Sequence, residues 1–282
     1  MLVNLNEVLL PAKASKYAVG LFNAITLEQA KGIILAAEEL NCPVIIGTAE
    51  VLLNFATLEE TASILIPMAK RASVPVVVHY DHGLTLEKCI TALKLGFSSI
   101  MYDCSLDTYD ENIRKVAEIV RIAHVYGATV EAELGHVGDN EGSLEGDASL
   151  GKESSFYTDK VEAYDFWKRT NVDALAIAVG TAHGAYKLPP KLDFKRIEEI
   201  AHMVPIPLVL HGGSGLSERD FKEAINQGIS KVNIFTDIDR AAADGVKEAF
   251  LKGCNSMTST MAYQVEAVKN EVMKKMSLFL NK

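Results

Sequence analysis

Short apolar runs alternate along the chain with longer amphipathic stretches. Eight such runs are bounded by turn residues, at positions 18–22, 44–46, 75–79, 98–102, 128–133, 174–178, 207–211 and 231–234. Each run is too short for a helix and is apolar on both faces, which is typical of parallel strands covered by helices. We therefore predict eight parallel β-strands.

The stretches between these runs carry helix signals. Thr26 and Gln29 form a capping-box pattern that predicts a helix ending near Leu40. Ser217 is placed to cap a helix that runs to Gln227, with Gly228 ending it. Repeated strand–helix units of this kind predict an α/β fold, a (β/α)8 TIM barrel. A doubly wound open sheet is the alternative, which the absence of G-x-G-x-x-G after the first strand disfavours.

Two segments exceed the simple repeat. Residues 136–157 are polar and rich in Gly, Asp, Glu and Ser, which predicts a long loop after the fifth strand that acts as a lid. Residues 261–279 carry apolar side chains at the spacing of one helix face. We predict an extra C-terminal helix, packed on the barrel or on a second subunit. No sign of another domain appears, so residues 1–282 are predicted to form a single barrel domain.

Composition narrows the class of protein. The 282 residues are 49% hydrophobic and 23% charged, as in globular proteins. A net charge of −9 argues against a nucleic-acid partner. No apolar run reaches the roughly 18 residues of a membrane span and no basic leader is visible, so we expect a cytoplasmic protein without a membrane partner. The four cysteines show no C-x-x-C pair, which favours free thiols over disulfides or thiolate zinc ligands.

Three histidines follow predicted strands. His82, His183 and His211 come at the carboxyl ends of the third, sixth and seventh strands, and in a barrel these ends meet at one mouth. Three imidazoles with an open fourth position are typical of catalytic zinc. One such histidine alone is more often structural, and it is the set of three that favours a metal. The other histidines are interpreted as strand, loop or surface residues: His79, His136, His124 and His202.

Carboxylates and a glycine-rich segment are predicted at the same mouth. Asp81, Asp103 and Glu133 end or follow strands and could tune proton transfer beside a metal, with salt bridges or helix caps as the alternative. The segment Gly212–Gly215 and the strand-to-helix junction from Asn233 to Thr236 are suited to phosphate, which barrels often bind at these loops. Taken alone, the glycine-rich segment could be a tight turn.

In order and spacing, these motifs resemble the class II, metal-dependent ketose-bisphosphate aldolases over nearly the whole chain. The matching segments are Phe22-Asn23, Asp81-His82-Gly83, Asp103, the segment 131–135, the segment 180–184, the segment 211–215 and the segment 231–233. The chain is more similar to the tagatose-bisphosphate and related sugar-phosphate branch than to the longer fructose-bisphosphate enzymes.

The resemblance implies reversible retro-aldol cleavage of a ketose phosphate. The substrate would be a ketose 1-phosphate or a 1,6-bisphosphate such as that of tagatose or fructose. The products would be dihydroxyacetone phosphate and an aldehyde, formed through a zinc-stabilised enediolate. Family members are usually homodimers or homotetramers, and some also bind a monovalent cation near the glycines of the phosphate pocket.

The resemblance also implies residue roles. His82, His183 and His211 match the zinc ligands, and Asp103 and Glu133 match carboxylates near the metal. Asp81 matches the acid/base that serves the C4 hydroxyl, and Glu141 falls where a mobile loop carries a proton-transferring glutamate. The residues that match substrate and phosphate contacts are Asn23, Gly184, Lys187, Gly212, Gly213, Ser214, Asn233 and Thr236.

Three positions depart from the family pattern. Phe235 stands where an aspartate is usual, Ala49 stands where a serine is common, and an arginine expected in the C-terminal helix is aligned with Val268. We therefore expect a preference for ketose 1-phosphates without a distal phosphate. The alternatives to an aldolase are a zinc hydrolase on a similar barrel and a catalytically degenerate protein that binds a sugar phosphate. Asp81 beside His82 and the glycine-rich phosphate end disfavour the hydrolase, and the complete set of Asp81, Glu141 and three histidines disfavours the degenerate protein.

Overall fold

All eight predicted strands are present, and they close into a parallel barrel. The structure is a computed structural model that describes residues 1–139, 157–184 and 190–280. Its strands are β1 (Leu2–Val3), β2 (Val19–Asn23), β3 (Val44–Ala49), β4 (Val76–Gly83), β5 (Ser99–Tyr102), β6 (Thr129–Leu134), β7 (Gly138–Asp139), β8 (Ala174–Ile177), β9 (Ala182–His183), β10 (Leu208–Leu210) and β11 (Ile229–Ile234).

The barrel is formed by β2, β3, β4, β5, β6, β8, β10 and β11, in that order. Each strand pairs in parallel with the next, and β11 pairs with β2 to close the ring. This confirms the predicted (β/α)8 barrel, and the alternative of an open sheet is wrong. Two short additions lie outside the ring: β1 pairs with β4, and β7 pairs with β9.

Within the described residues, each barrel strand is followed by one helix, as the repeat requires, and one further helix precedes the first barrel strand and another follows the last unit. The helices are α1 (Leu5–Ser15), α2 (Leu27–Leu40), α3 (Leu58–Arg71), α4 (Leu86–Leu95), α5 (Tyr109–Val125), α6 (Lys160–Thr170), α7 (Phe194–Met203), α8 (Glu218–Gln227), α9 (Thr236–Leu251) and α10 (Met257–Phe279), with a 3-10 turn at Glu50–Leu52. The predicted capping box of Thr26 and Gln29 is present, as is the Ser217 cap with Gly228 ending the helix. Among the helices of the described ranges, none is both long and apolar enough to cross a membrane.

The barrel interior is apolar at one end and polar at the other. Helix α1 lies under the amino ends of the strands, where Leu5 and Leu9 pack with Val77 and Val209 in an apolar cluster. Successive residues of a strand point to opposite faces, so the interior face of β4 continues from Val77 through residues 79 and 81. The functional side chains thus lie above a packed apolar floor.

Helix α10 packs on the barrel. Val268 is fully buried and lies so close to α2 that a Cβ on Gly32 would come within 2.8 Å of its Cβ. The side chain of residue 268 therefore points into the contact between α10 and α2. The alignment of a phosphate-binding arginine with this position is wrong, because the spacing of apolar residues in one amphipathic helix does not fix which residues face the barrel mouth.

Candidate active site

The three predicted histidines meet at the carboxyl ends of the barrel strands. The ring centroids lie 4.6 Å apart for His82 and His211, 4.9 Å for His82 and His183, and 5.8 Å for His183 and His211. One nitrogen from each ring lies within 4.8 Å of the others, a spacing that suits a single metal ion. His183 reaches the group from β9, whose pairing with β7 sets Asp139 beside it in the register.

A carboxylate fixes the ring of His82. Asp103 Oδ2 lies 2.8 Å from His82 Nδ1, and Asp103 Oδ1 accepts a hydrogen bond of 3.0 Å from the Ser105 N–H. Burial alone would raise the pKa of Asp103, but the hydrogen bond and charge of His82 lower it below its usual range. Because Nδ1 is taken, His82 offers Nε2 to a metal, as metal-binding histidines commonly do.

A second carboxylate, that of Glu131, holds His211 at Nε2, whereas His82 is held at Nδ1. His211 Nε2 lies 2.8 Å from Glu131 Oε1, which leaves Nδ1 for a metal. Nδ1 lies 3.2 Å from Glu133 Oε2, yet these two buried atoms are not aligned for a hydrogen bond, and neither has another hydrogen-bond partner among the residues that the structure describes. Buried polar atoms without partners are rare and call for an explanation such as an ion. A cation between them would satisfy both atoms, so this donor set fits a metal.

The charge on His211 bears on metal binding. Burial alone would lower the pKa of His211, but its contacts with the carboxylates of Glu131 and Glu133 raise it to about 10. A metal must therefore compete with a proton for Nδ1, which makes binding stronger as pH rises.

Asp81 lies beside the histidines as a buried, ordered carboxylate. Its oxygens accept hydrogen bonds from the amide of Asn23 at 2.9 Å and from the amide of Asn233 at 3.2 Å. Burial alone would raise the pKa of Asp81, but the positive charges of His82 and Lys231 lower it well below its usual range. The carboxylate is therefore ionised, which is the form that accepts a proton.

Beneath Asp81 and His211 lies a buried charge network to which the sequence assigned no function. Lys231 Nζ lies 2.8 Å from Glu131 Oε2 and donates a hydrogen bond of 2.7 Å to Asn233 Oδ1. His79 hydrogen-bonds through Nδ1 to Ser99 Oγ at 2.8 Å, and burial together with the charge of Lys231 lowers its pKa to about 4. Glu131 and Lys231 stand two residues before Glu133 and Asn233, so strand alternation was the signal that could have found them.

The glycine-rich segment is tied to the junction between β11 and α9. The N–H groups of Gly213, Phe235 and Gly215 donate to Asn233 O at 3.1 Å, Ser214 Oγ at 3.3 Å and Asp237 Oδ2 at 3.3 Å, respectively. A Cβ on Gly213 would meet Val232 Cγ1 at 2.7 Å and Asn233 O at 2.8 Å, so the absence of a side chain here allows the segment to pack closely on β11. Phe235 provides no side-chain cap for α9, so the first N–H groups of this helix favour an anion.

The remaining predictions concern four substrate or proton-transfer residues, the cysteines and the histidines outside the cluster. Glu141 and Lys187 lie outside the described residues. Gly184, which follows His183, has a positive φ of 84°, and Thr236 begins α9. None of the four cysteines, which all lie in the described ranges, forms a disulfide there. His79 lies in β4, and His124 is a partly exposed residue that pairs with Asp173 at 2.9 Å.

Known proteins share both the sequence and the architecture. The family model for class II fructose-bisphosphate aldolase matches residues 3–282. A fructose-bisphosphate aldolase of Geobacillus stearothermophilus is 40% identical over 260 residues, covering 90% of this chain and 88% of that protein. A probable fructose-bisphosphate aldolase of Bacillus subtilis is 39% identical over 251 residues, covering 88% of this chain and 86% of that protein.

A solved structure agrees with these relatives. The YdjI aldolase from Escherichia coli K12 superposes with a TM-score of 0.88 at 35% identity, covering 99% of this chain and 97% of that one. The family model, the relatives and the barrel point the same way. The chain belongs to the class II fructose-bisphosphate aldolase family, and it is a lyase that cleaves a sugar phosphate by a reversible retro-aldol reaction.

Proposed function

We propose that the chain cleaves a ketose 1-phosphate, or a 1,6-bisphosphate such as that of tagatose or fructose, to dihydroxyacetone phosphate and an aldehyde. The observation that carries this proposal is the placement of an ionised, amide-held carboxylate, Asp81, beside three clustered histidines at the barrel mouth. That arrangement supplies both a metal site and a base for a hydroxyl proton.

The proposed metal is zinc, held by His82, His183 and His211. Imidazole nitrogens in a set of three suit zinc and leave an open position for a substrate. When bound, zinc supplies Lewis-acid chemistry at the carbonyl next to the breaking bond. Asp103 holds His82 and is a positioning residue in this proposal, whereas Glu133 directs Oε2 toward the same space.

Proton transfer is assigned to two carboxylates. Asp81 takes the C4 hydroxyl proton as the C3–C4 bond breaks, and the electron pair of that bond goes to the fragment that becomes dihydroxyacetone phosphate. Asn23 and Asn233 keep the Asp81 carboxylate oriented for this transfer. Glu141, outside the described residues, is proposed to return a proton to C3.

The phosphate of the product is proposed to lie against the glycine-rich segment and the start of α9. Gly184, Gly212, Gly213, Ser214 and Thr236 would surround it, with Lys187 as a charge partner. The preference for substrates whose distal end carries no phosphate stays a prediction, because Phe235 removes no positive partner of a phosphate and Val268 lies in the contact between α10 and α2.

The proposal also covers the domain organisation and the assembly state of the chain. The whole of residues 1–282 is proposed to form one domain, which assembles as a homodimer or homotetramer. Light scattering on the purified protein measures the assembly state, and a monomeric mass would contradict it.

A cleavage screen tests the proposed function. Ketose 1-phosphates and 1,6-bisphosphates, including tagatose, fructose and longer sugars, are incubated with the zinc-loaded protein while dihydroxyacetone phosphate is detected. We expect cleavage of at least one substrate by the wild type, and a loss of roughly 10²-fold or more in kcat for Asp81→Ala, the scale of a general acid/base group. Release of inorganic phosphate without dihydroxyacetone phosphate would indicate a hydrolase, and binding without turnover would indicate a degenerate binding protein. Either result contradicts the proposal.

A further inference from the structure

An acidic side chain lies next to the proposed phosphate position. Asp237 is in the first turn of α9, and its Oδ2 accepts the hydrogen bond from Gly215 N–H at 3.3 Å. Its carboxylate therefore lies against the glycine-rich segment. A negative group in the first helical turn interacts with the same helix dipole that favours a bound anion, and it repels a phosphate dianion nearby. An uncompensated carboxylate here would oppose the proposed binding.

The compensating charge comes from the C-terminal helix. Lys275 of α10 places Nζ 2.6 Å from Asp237 Oδ2, with its side chain 9% exposed. Lysines are seldom buried to this degree unless they are paired. Lys275 also lies 3.6 Å from Glu271 and over the ring of Phe221 at 5.4 Å from its centroid. The ammonium is thus held between α8, α9 and α10, outside the barrel wall but in contact with the carboxylate that holds Gly215.

We propose that Lys275 is a specificity-determining residue for phosphorylated ligands, because it neutralises Asp237 and so allows the start of α9 and the glycine-rich segment to accept a dianion. Lys275 does not touch the substrate in this account and acts through Asp237. The C-terminal helix thereby becomes part of the phosphate site as well as a packing element. This inference rests on the proposed function, which places the phosphate at that segment.

A purely structural role for Lys275 makes a different prediction. If the pair only ties α10 to the barrel, removal of either partner or of both should weaken binding of any ligand together with stability. If Lys275 acts by charge compensation, its removal leaves Asp237 repelling phosphate, and neutralising Asp237 as well should restore binding. The double variant therefore separates the two roles.

Calorimetric binding of dihydroxyacetone phosphate to the full-length, zinc-loaded enzyme tests the inference. The variants are Lys275→Met, Asp237→Asn and the double variant, and Lys269→Met is the matched control. Lys269 lies on the same helix and pairs instead with Glu39 at 2.5 Å. Dihydroxyacetone, which lacks the phosphate, is the matched ligand.

Lys275→Met is expected to raise the Kd for dihydroxyacetone phosphate by about tenfold, equivalent to about 1.4 kcal/mol, and to leave the weaker binding of dihydroxyacetone and the zinc content unchanged. The double variant should return to within about threefold of the wild type, and Lys269→Met should match the wild type. An unchanged Kd for Lys275→Met, or a double variant as weak as Lys275→Met, overturns the inference.

Two further outcomes are decisive: a Lys275→Met variant that does not fold, and a wild type that does not bind dihydroxyacetone phosphate. If Lys275→Met does not fold, Asp237→Asn alone decides: charge compensation predicts binding of dihydroxyacetone phosphate at least as tight as in the wild type, and a tenfold loss refutes it. If the wild type itself does not bind dihydroxyacetone phosphate, the proposed function fails, and this inference fails with it.

Discussion

At this site, carboxylates determine which ring nitrogen of His82 and of His211 is left to bind a metal. Asp103 occupies Nδ1 of His82, and Glu131 occupies Nε2 of His211, so the two histidines present different nitrogens to a metal. Strand-end position alone identified both histidines, because barrel strands end at a common mouth. Which nitrogen each presents depends on side-chain rotamers and on Glu131: strand alternation with Glu133 places Glu131 in the barrel interior but does not show that it pairs with His211.

Asp103→Ala tests the orientation of His82. Loss of the Nδ1 partner should weaken zinc affinity by about 10-fold to 100-fold, the usual scale for a group that orients a metal ligand, while far-UV circular dichroism stays unchanged. Competition with a chelator at fixed pH measures the affinity. Asp107→Ala is the control, since Asp107 lies in the same loop and pairs with Lys115 at 2.8 Å. Equal zinc affinity in both variants would show that Asp103 has no such role.

Strands and helices match the sequence-based predictions closely where hydrophobic periodicity and capping residues determine them. The strands follow from eight apolar runs, and Thr26 and Ser217 begin helices as predicted. The short pairing of β7 with β9 was not predicted, because two-residue strands carry no periodicity. The apolar stripe of α10 is buried as predicted, but the helix pattern did not show that Val268 lies against Gly32 of α2, away from a ligand.

Two glycines of similar backbone conformation test whether the glycine-rich segment must pack closely against the backbone of Ala182. Gly212 has φ of 66°, and a Cβ there would lie 2.3 Å from Ala182 O, whereas Gly127 has φ of 72° and open space around it. Gly127→Ala should cost about 1–2 kcal/mol from the left-handed conformation alone. Gly212→Ala should cost more and should also weaken binding of dihydroxyacetone phosphate. Denaturant unfolding and calorimetry measure both effects, and equal costs with unchanged binding would contradict this picture.

Val268→Arg tests the face that α10 presents. A charge at this fully buried position has no described partner, so unfolding free energy should fall by several kcal/mol, with no gain in cleavage of 1,6-bisphosphates. Glu266→Arg, at an exposed position of the same helix, should leave stability nearly unchanged. A stable Val268→Arg variant with improved bisphosphate cleavage would restore the distal-phosphate role for this position.

In the molecule as a whole, the residues that stabilise the fold and the residues of the candidate site lie in different places. The apolar floor over α1 and the shell of helices hold the barrel together, while the charged network occupies its upper end. The overall charge of −9 gives no sign of the buried positive groups Lys231 and Lys275, which only the structure locates beside carboxylates.

Metal removal should therefore abolish activity without unfolding the barrel. After dialysis against a chelator, we expect far-UV circular dichroism to be retained and the melting temperature to fall only by the amount that ligand linkage implies. Loss of secondary structure on chelation would show that the metal also serves as a folding element.

Zinc titration of the chelated enzyme tests the central claim most directly. Retro-aldol activity, followed by formation of dihydroxyacetone phosphate, is measured against added zinc for the wild type and for His211→Ala. We expect activity in the wild type to rise in proportion to zinc and to level off at about one equivalent per chain, with His211→Ala inactive throughout that range. Full activity before zinc is added, or a His211→Ala variant that matches the wild type, would contradict the account.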